Sequence, residues 1–350
     1  MDDRPDRAVT AEWLSAALRR RHPGVQVEAV DVLDETSGSA NRLRLRLTYA
    51  AGGDVGLPPT MFLKRNLAQF SFPSEMYTNE VRVYRDVLPG TGIEAPRVHA
   101  IETTEDDLVF ALLLEDLGAR SDVRIGFVLD PATPDQVDSL LATLARLHAA
   151  FWGAGPLDRR VGWARLPVDD PAMRFWSEIG PRLVRRHLAS GHRAALVDPG
   201  RWSADRLWEG FGRLLEADSD GPPTLLHGDV HAGNVYYVGG ADGGLLDWQL
   251  TLRGCWALDV TYLLTSALTP EDRRRHERDL LAGYLGRLRA AGAVAPDDDE
   301  AWLRYRQNAL YGVMMWLITP DGVHSDEAQV EYLRRGLAAA EDLETLQVLV

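Results

Sequence analysis

Cysteine and lysine are almost absent: the 350-residue chain holds one of each, Cys255 and Lys64. A single thiol excludes an internal disulfide framework and any zinc site built on several cysteines, and it suits a reducing compartment. Long apolar runs are missing too. The longest, such as Val109–Leu114 and Gly312–Ile318, fall far short of the roughly 20 residues needed to span a bilayer. The opening Met1-Asp-Asp-Arg-Pro-Asp6 lacks the basic-then-apolar order of a secretion signal. These absences predict a cytoplasmic protein with no membrane partner. Positive charge is also in short supply, with 38 basic residues against 52 acidic ones and a net charge of −14. A default nucleic-acid or anionic-membrane binder is thereby disfavoured, because both partners require a basic face. What is present is ordinary for a globular protein, 45% hydrophobic and 26% charged, which excludes global disorder and favours two domains at this length.

The lysine shortage carries information. Thirty-seven of the 38 basic residues are arginine, so arginine stands wherever it serves. The surviving Lys64 is a candidate for a position that needs a compact point charge in place of a planar fork. Chance survival is the competing reading.

Periodicity divides the chain. Thr10 caps a helix reaching Arg21, with Trp13, Leu14, Ala17 and Leu18 on one face. Strands are expected at Val25–Leu33, Arg42–Tyr49, Thr60–Arg65, Arg97–Glu102 and Leu108–Leu114, with a helix at Ser74–Val87 that contains Glu80. In the second strand Leu43, Leu45 and Leu47 point inward and Arg42, Arg44 and Arg46 outward. Between the first two strands lies a small-residue loop, Glu35–Asn41. After Gly118 the pattern becomes helical: Pro134–Trp152, then regions near 171–190 and 201–217, then most of the chain from Ala257. Short β-like pieces, Thr224–Tyr237 and Gly244–Leu250, interrupt it. The expectation is an α+β protein with a small β-rich domain, residues 1–117, followed by a larger, mainly helical one, residues 118–350.

The densest polar cluster is His227-Gly-Asp229-Val-His231-Ala-Gly-Asn234, followed thirteen residues later by Asp247 in Leu246-Asp-Trp-Gln249. Phosphoryl transfer accounts for this set. Asp229 would orient the acceptor hydroxyl and take its proton, while Asn234 and Asp247 would supply hard oxygen ligands to magnesium. The order, a catalytic Asp, an Asn five residues on and then a metal-binding Asp, is that of kinases. Upstream, Lys64 on a strand and Glu80 on the following helix match the kinase pair that meets the nucleotide phosphates.

These stretches resemble the aminoglycoside phosphotransferase and choline kinase superfamily, and within it most nearly the ecdysteroid-kinase-like branch. Supporting segments are Phe62-Leu-Lys64, Asn79-Glu80-Val-Arg-Val-Tyr84, Leu113-Leu-Glu115-Asp-Leu117, Leu144-Ala-Arg-Leu-His148 and Ala257-Leu-Asp259-Val. The resemblance covers about residues 35 to 265. It implies a protein-kinase-like two-lobe fold, with a small antiparallel sheet in the N-lobe and a helical C-lobe. It implies ATP or GTP as donor with Mg2+, a small-molecule hydroxyl acceptor, Asp229 as catalytic base, and Asn234 and Asp247 as metal ligands. It also implies that Glu115–Leu117 meets the adenine through its backbone, and that Asp259 steadies the catalytic loop. The nucleotide loop departs from the protein-kinase pattern: Gly38, beside Ser39, is its only glycine.

Blander readings accompany several residues. His227 is expected to brace its loop rather than to bind a metal, His148 to be a satisfied core histidine, and Trp248, Trp256, Tyr262, Tyr311 and Trp316 to pack the core ahead of the alternative that they line a substrate cleft. His231 is expected either in loop packing or on substrate. Asp297–Glu300 reads as a solvated helix start and Arg273–Arg275 as a solvated face. Two rival functions remain: a metallophosphoesterase, suggested by Gly228-Asp-Val-His231, and a kinase fold that binds without catalysing.

Overall fold

A computed structural model describes residues 8–37, 40–66, 73–240 and 242–349. They separate into two units, one drawn from Met1–Pro89 and Ala95–Val123, the other from Gly90–Glu94 and Arg124–Val350.

In the first unit, α1 (Ala11–Arg19) begins at Thr10, whose hydroxyl accepts from the Trp13 N–H at 3.1 Å. Strands β1 (Val27–Ser37), β2 (Asn41–Tyr49), β3 (Thr60–Arg65), β4 (Val98–Thr103) and β5 (Phe110–Glu115) form one antiparallel sheet in the order β1-β2-β3-β5-β4. The expected alternation in β2 holds. Leu43, Leu45 and Leu47 join Leu14 and Leu18 of α1, and Met61 and Leu63 of β3, in one core. Lys64 lies across from Arg42 and Leu112 on the opposite face of the sheet. α2 (Glu75–Arg82) follows and gives way to one turn of π-helix, Val83–Val87.

Strand β1 runs past the expected Leu33 to Ser37. Its acidic end looks like a loop by composition. Pairing overrides that, because Asp31 faces Arg46 and Asp34 faces Arg44 across the ladder, and opposite charges directly across a sheet stabilise it.

The chain enters the second unit through β6 (Val123–Ile125). Next is α3 (Pro134–Ala150), begun by a reciprocal Thr133–Gln136 cap. Then come α4 (Pro171–Ala189), α5 (Ala204–Asp218), β7 (Thr224–Leu226), β8 (Val235–Val238), β9 (Asp242–Leu245) and β10 (Leu252–Gly254). Last are α6 (Ala257–Ala267), α7 (Pro270–Ala290), α8 (Asp298–Ile318), α9 (Asp326–Asp342) and α10 (Thr345–Val348). Every residue of α6 is buried, as is the stretch 308–318 of α8, which packs against α4, α5, α6, α9 and α10. A helix apolar on all sides belongs inside a core. The run Gly312–Ile318 is therefore core, and no helix among the described residues is long and apolar enough to cross a membrane.

Asp297 caps α8 through the Glu300 N–H, as expected of a helix start. Arg273 departs from expectation. It is buried, not solvated, and pairs with Glu277 at 2.5 Å and with Asp342. The partner on α9 is distant in sequence, so the arginine run alone does not reveal it.

Candidate active site

Two strand pairs build the site of the second unit. β7 pairs with β10 and β8 with β9, all antiparallel. The segment His227–Asn234 leaves β7 and re-enters at β8, while Leu246–Thr251 leaves β9 and re-enters at β10. Both loops are thus pinned at both ends and lie side by side. The Leu246 N–H donates to Asn234 O at 2.8 Å, and His227 Nε2 donates to Leu246 O at 2.7 Å. The β-like piece expected at Gly244–Leu250 stops at Leu245, where the chain turns and Asp247 adopts a left-handed backbone with φ of 59°. Such a conformation in a non-glycine residue is strained and clusters at functional sites. Gly228 has φ of 81°, and a Cβ there would collide with Leu250 O, so only glycine fits.

Side chains from distant helices fix the loop's backbone. Asp259, fully buried in the first turn of α6, accepts from the His227 N–H at 2.7 Å and the Gly228 N–H at 2.9 Å. His148 of α3 lies 3.1 Å from the same carboxylate through Nε2 and 2.6 Å from the Tyr284 hydroxyl through Nδ1. Tyr311 of α8 donates to Gly228 O at 2.9 Å. His227 Nδ1 accepts from the Asp229 N–H at 3.2 Å. A backbone N–H can only donate and a carbonyl only accept, so both His227 nitrogens are committed. It braces the loop and has no lone pair for a metal. Tyr311 was legible only as a core aromatic and Tyr284 carried no signal in the sequence; their hydroxyl roles depend on packing.

On this frame stand the reacting candidates. Asn234 Nδ2 donates to Asp229 Oδ2 and to Asp229 O, each at 2.9 Å, which turns its amide oxygen away from the carboxylate. The Asp229 side chain keeps 25% of its surface exposed. Burial, and next the negative charge of Asp247, push its carboxyl well above the usual range, against the opposing effect of the Asn234 hydrogen bond. An amide oxygen and a carboxylate are the hard donors magnesium prefers, and a cation would relieve the repulsion between two crowded carboxylates. The residues therefore fit the metal. Among the described residues, no three His, Cys, Asp or Glu side chains gather to hold a metal ion, which leaves the metallophosphoesterase reading without its ligand set.

His231 lies in the same loop, buried, its side chain capping the turn Ala232–Asn234. Burial, aided by His324 and His227, pulls the ring down to about 3, so it is neutral. Trp248, Trp256, Tyr262, Tyr311 and Trp316 are all buried, as their core reading predicts.

In the first unit, Lys64 Nζ meets Glu80 Oε2 at 2.6 Å, with both residues buried. Glu115 ends β5, and its N–H donates to Arg97 O at 2.8 Å. Leu117 begins a short 3-10 turn, and its carbonyl accepts from the Arg120 N–H at 3.2 Å. Gly38 and Ser39 lie outside the described residues.

Comparison with known proteins gives a consistent result. The model of the phosphotransferase enzyme family matches residues 36–302. A homoserine kinase from Chelativorans sp. is 26% identical over 201 residues, covering 47% of this chain and 60% of its own length. The chain thus spans less than two thirds of that relative. Among solved structures, a spectinomycin phosphotransferase in complex with ADP and spectinomycin matches with a TM-score of 0.59 at 15% identity, covering 97% of this chain and all of the other. A choline kinase from Cryptosporidium parvum matches with a TM-score of 0.56 at 10% identity, covering 96% and 97%. These likenesses establish the protein-kinase-like α+β fold. The family model matches the phosphotransferase enzyme family and not the ecdysteroid-kinase-like branch, which rests on motifs alone.

Proposed function

The chain belongs to the phosphotransferase enzyme family, and from that premise we propose that it is a small-molecule kinase that moves the γ-phosphate of ATP, or of GTP, to an acceptor hydroxyl. The observation that carries this reading is the pairing of β7 with β10 and β8 with β9, which holds the Asp229–Asn234 loop against the Asp247 loop. The acceptor oxygen attacks the γ-phosphorus in line. The bond to the β–γ bridging oxygen breaks, and its electron pair leaves with the nucleoside diphosphate. The hydroxyl proton passes to Asp229 and then to solvent. A raised carboxyl suits that role, since a base works best with an affinity for protons near the working pH. Asn234, through its amide oxygen, and Asp247 would hold magnesium, which when bound offsets charge on the phosphate oxygens. Lys64, oriented by Glu80, would pair the nucleotide phosphates, and the backbone of Glu115–Leu117 would meet the base.

The test is a thermal-shift titration with ATP and GTP, with and without magnesium, followed by turnover against homoserine, choline and spectinomycin. A magnesium-dependent nucleotide shift is expected, lost in Asp247→Ala. Asp229→Ala should keep the shift and lose roughly 10²–10⁴-fold in turnover. An Asp229→Ala protein that turns over normally refutes the assignment of the base. A wild-type protein that no nucleotide stabilises favours a fold that only binds.

A further inference from the structure

His231 is placed to do more than fill space. Trp316, Tyr332, Tyr262 and His324 surround its ring, with centroids 5.3, 5.3, 5.9 and 6.0 Å away. Trp316 stacks flat on Tyr332 at 3.9 Å and 4°, which walls the imidazole in. Its Nδ1 accepts from the Gly233 N–H at 3.0 Å and lies 3.1 Å from the Tyr332 hydroxyl. Because a backbone N–H only donates, Nδ1 carries the lone pair, and the single ring proton sits on Nε2. That Nε2 stands 3.8 Å from Asp229 Oδ2, the oxygen that already accepts from Asn234. The gap exceeds a hydrogen bond, but it is the kind of separation that closes when a site fills, since catalytic hydrogen bonds are often long in the empty enzyme.

We propose that His231 is a positioning residue for Asp229: on substrate binding its Nε2–H closes onto Oδ2, so that Asn234 and His231 together hold that oxygen and Oδ1 alone receives the acceptor's proton. The inference rests on the phosphotransferase reading above. It makes one oxygen of the carboxylate structural and the other chemical. It also ties the base to the aromatic wall contributed by α8 and α9, two helices far from the loop in sequence.

Two substitutions separate positioning from capping. His231→Asn keeps an acceptor near Nδ1 for the Gly233 N–H but has nothing at Nε2; His231→Gln restores an N–H near Nε2. Turnover is read with magnesium-ATP and whichever of homoserine, choline or spectinomycin the wild type accepts, or with water as acceptor. The expected result is a kcat lowered roughly 10–100-fold in His231→Asn, with nucleotide-induced thermal shift and KM held, and partial recovery of kcat in His231→Gln. Wild-type kcat in His231→Asn, or a loss of KM and kcat together that glutamine does not relieve, overturns the proposal and leaves the residue a cap. Should the asparagine variant not fold, the ring 15N shifts of His231 in the wild-type protein decide. A protonated Nε2 supports the proposal, and a protonated Nδ1 overturns it. Absence of any nucleotide shift in the wild type would overturn the kinase reading itself, an outcome distinct from a His231→Asn enzyme that works normally.

Discussion

The two units hold their candidate site residues by opposite means. In the first, one buried ion pair does it: Lys64 on β3 meets Glu80 on α2 at 2.6 Å, charge against charge. In the second, the backbone is held first. Asp259 grips two peptide N–H groups of the loop, Tyr311 grips a peptide carbonyl, and the candidate side chains ride on what those contacts fix. The contrast follows from where each residue sits. A strand is already rigid, so Lys64 needs a partner only at its tip. A loop is not, so Asp229 needs its main chain immobilised before a side-chain contact means anything. The first unit should therefore fail by stranding a charge, and the second by stranding donors.

The largest effect is expected from breaking the second arrangement. Asp259→Ala leaves the His227 and Gly228 N–H groups buried without acceptors, at roughly 1–3 kcal/mol each. Asp259→Asn, which keeps one acceptor oxygen, should recover about half of that loss. Chemical denaturation of the two variants checks the order, and equal stabilities would mean the peptide groups find other partners. The first arrangement should break nearly as hard. Lys64→Met removes the cation that faces buried Glu80 and should lower stability by about 3–5 kcal/mol. The double variant Lys64→Met/Glu80→Leu should return most of that stability while giving no nucleotide-induced shift, which separates the fold's need for the pair from the ligand's.

A pH effect sharpens the contrast within the second unit. Asp218 is as buried as Glu80, but its hydrogen-bond partners are the amide of Asn308 and the thiol of Cys255 rather than a cation. Burial pushes its carboxyl up to about 7. A carboxyl raised in the folded state keeps its proton while the unfolded chain loses it, so stability falls as pH rises from about 4 to 7. The slope from this one group is at most ~1.4 kcal/mol per pH unit. Asp218→Asn preserves the bond from Asn308 and should flatten the loss. A variant with the wild-type slope in that window would place the titration elsewhere.

Much of this was legible in the chain. The leucine–arginine alternation of 42–47 set the face of β2, and the spacing Asp229–Asn234–Asp247 marked the two loops as parts of one site. The lone lysine pointed to the ion pair. What escaped reading shares one cause: partners far apart in sequence. The acidic end of β1 needed Arg44 and Arg46 to become a strand. Arg273 needed Asp342 on α9 to be buried. The Tyr311 hydroxyl needed the carbonyl of Gly228 to be more than core. Local pattern reports what a segment prefers, and these residues are defined by what they meet.

The pairing of Thr224 with Gly254 has a consequence for how the molecule assembles. It closes the chain on itself after about 30 residues, and the entropy lost in closing a loop grows only slowly with length. Asp229, Asn234 and Asp247 are therefore gathered by neighbours in the chain, a patch of low contact order within a unit that also holds long-range pairings such as α3 with α7. Such a patch can order early and wait for α6 and α8 to dock. The helices around it are then free to drift in sequence, in descent or by design, except at the residues that grip the loop, Asp259, Tyr311 and His148.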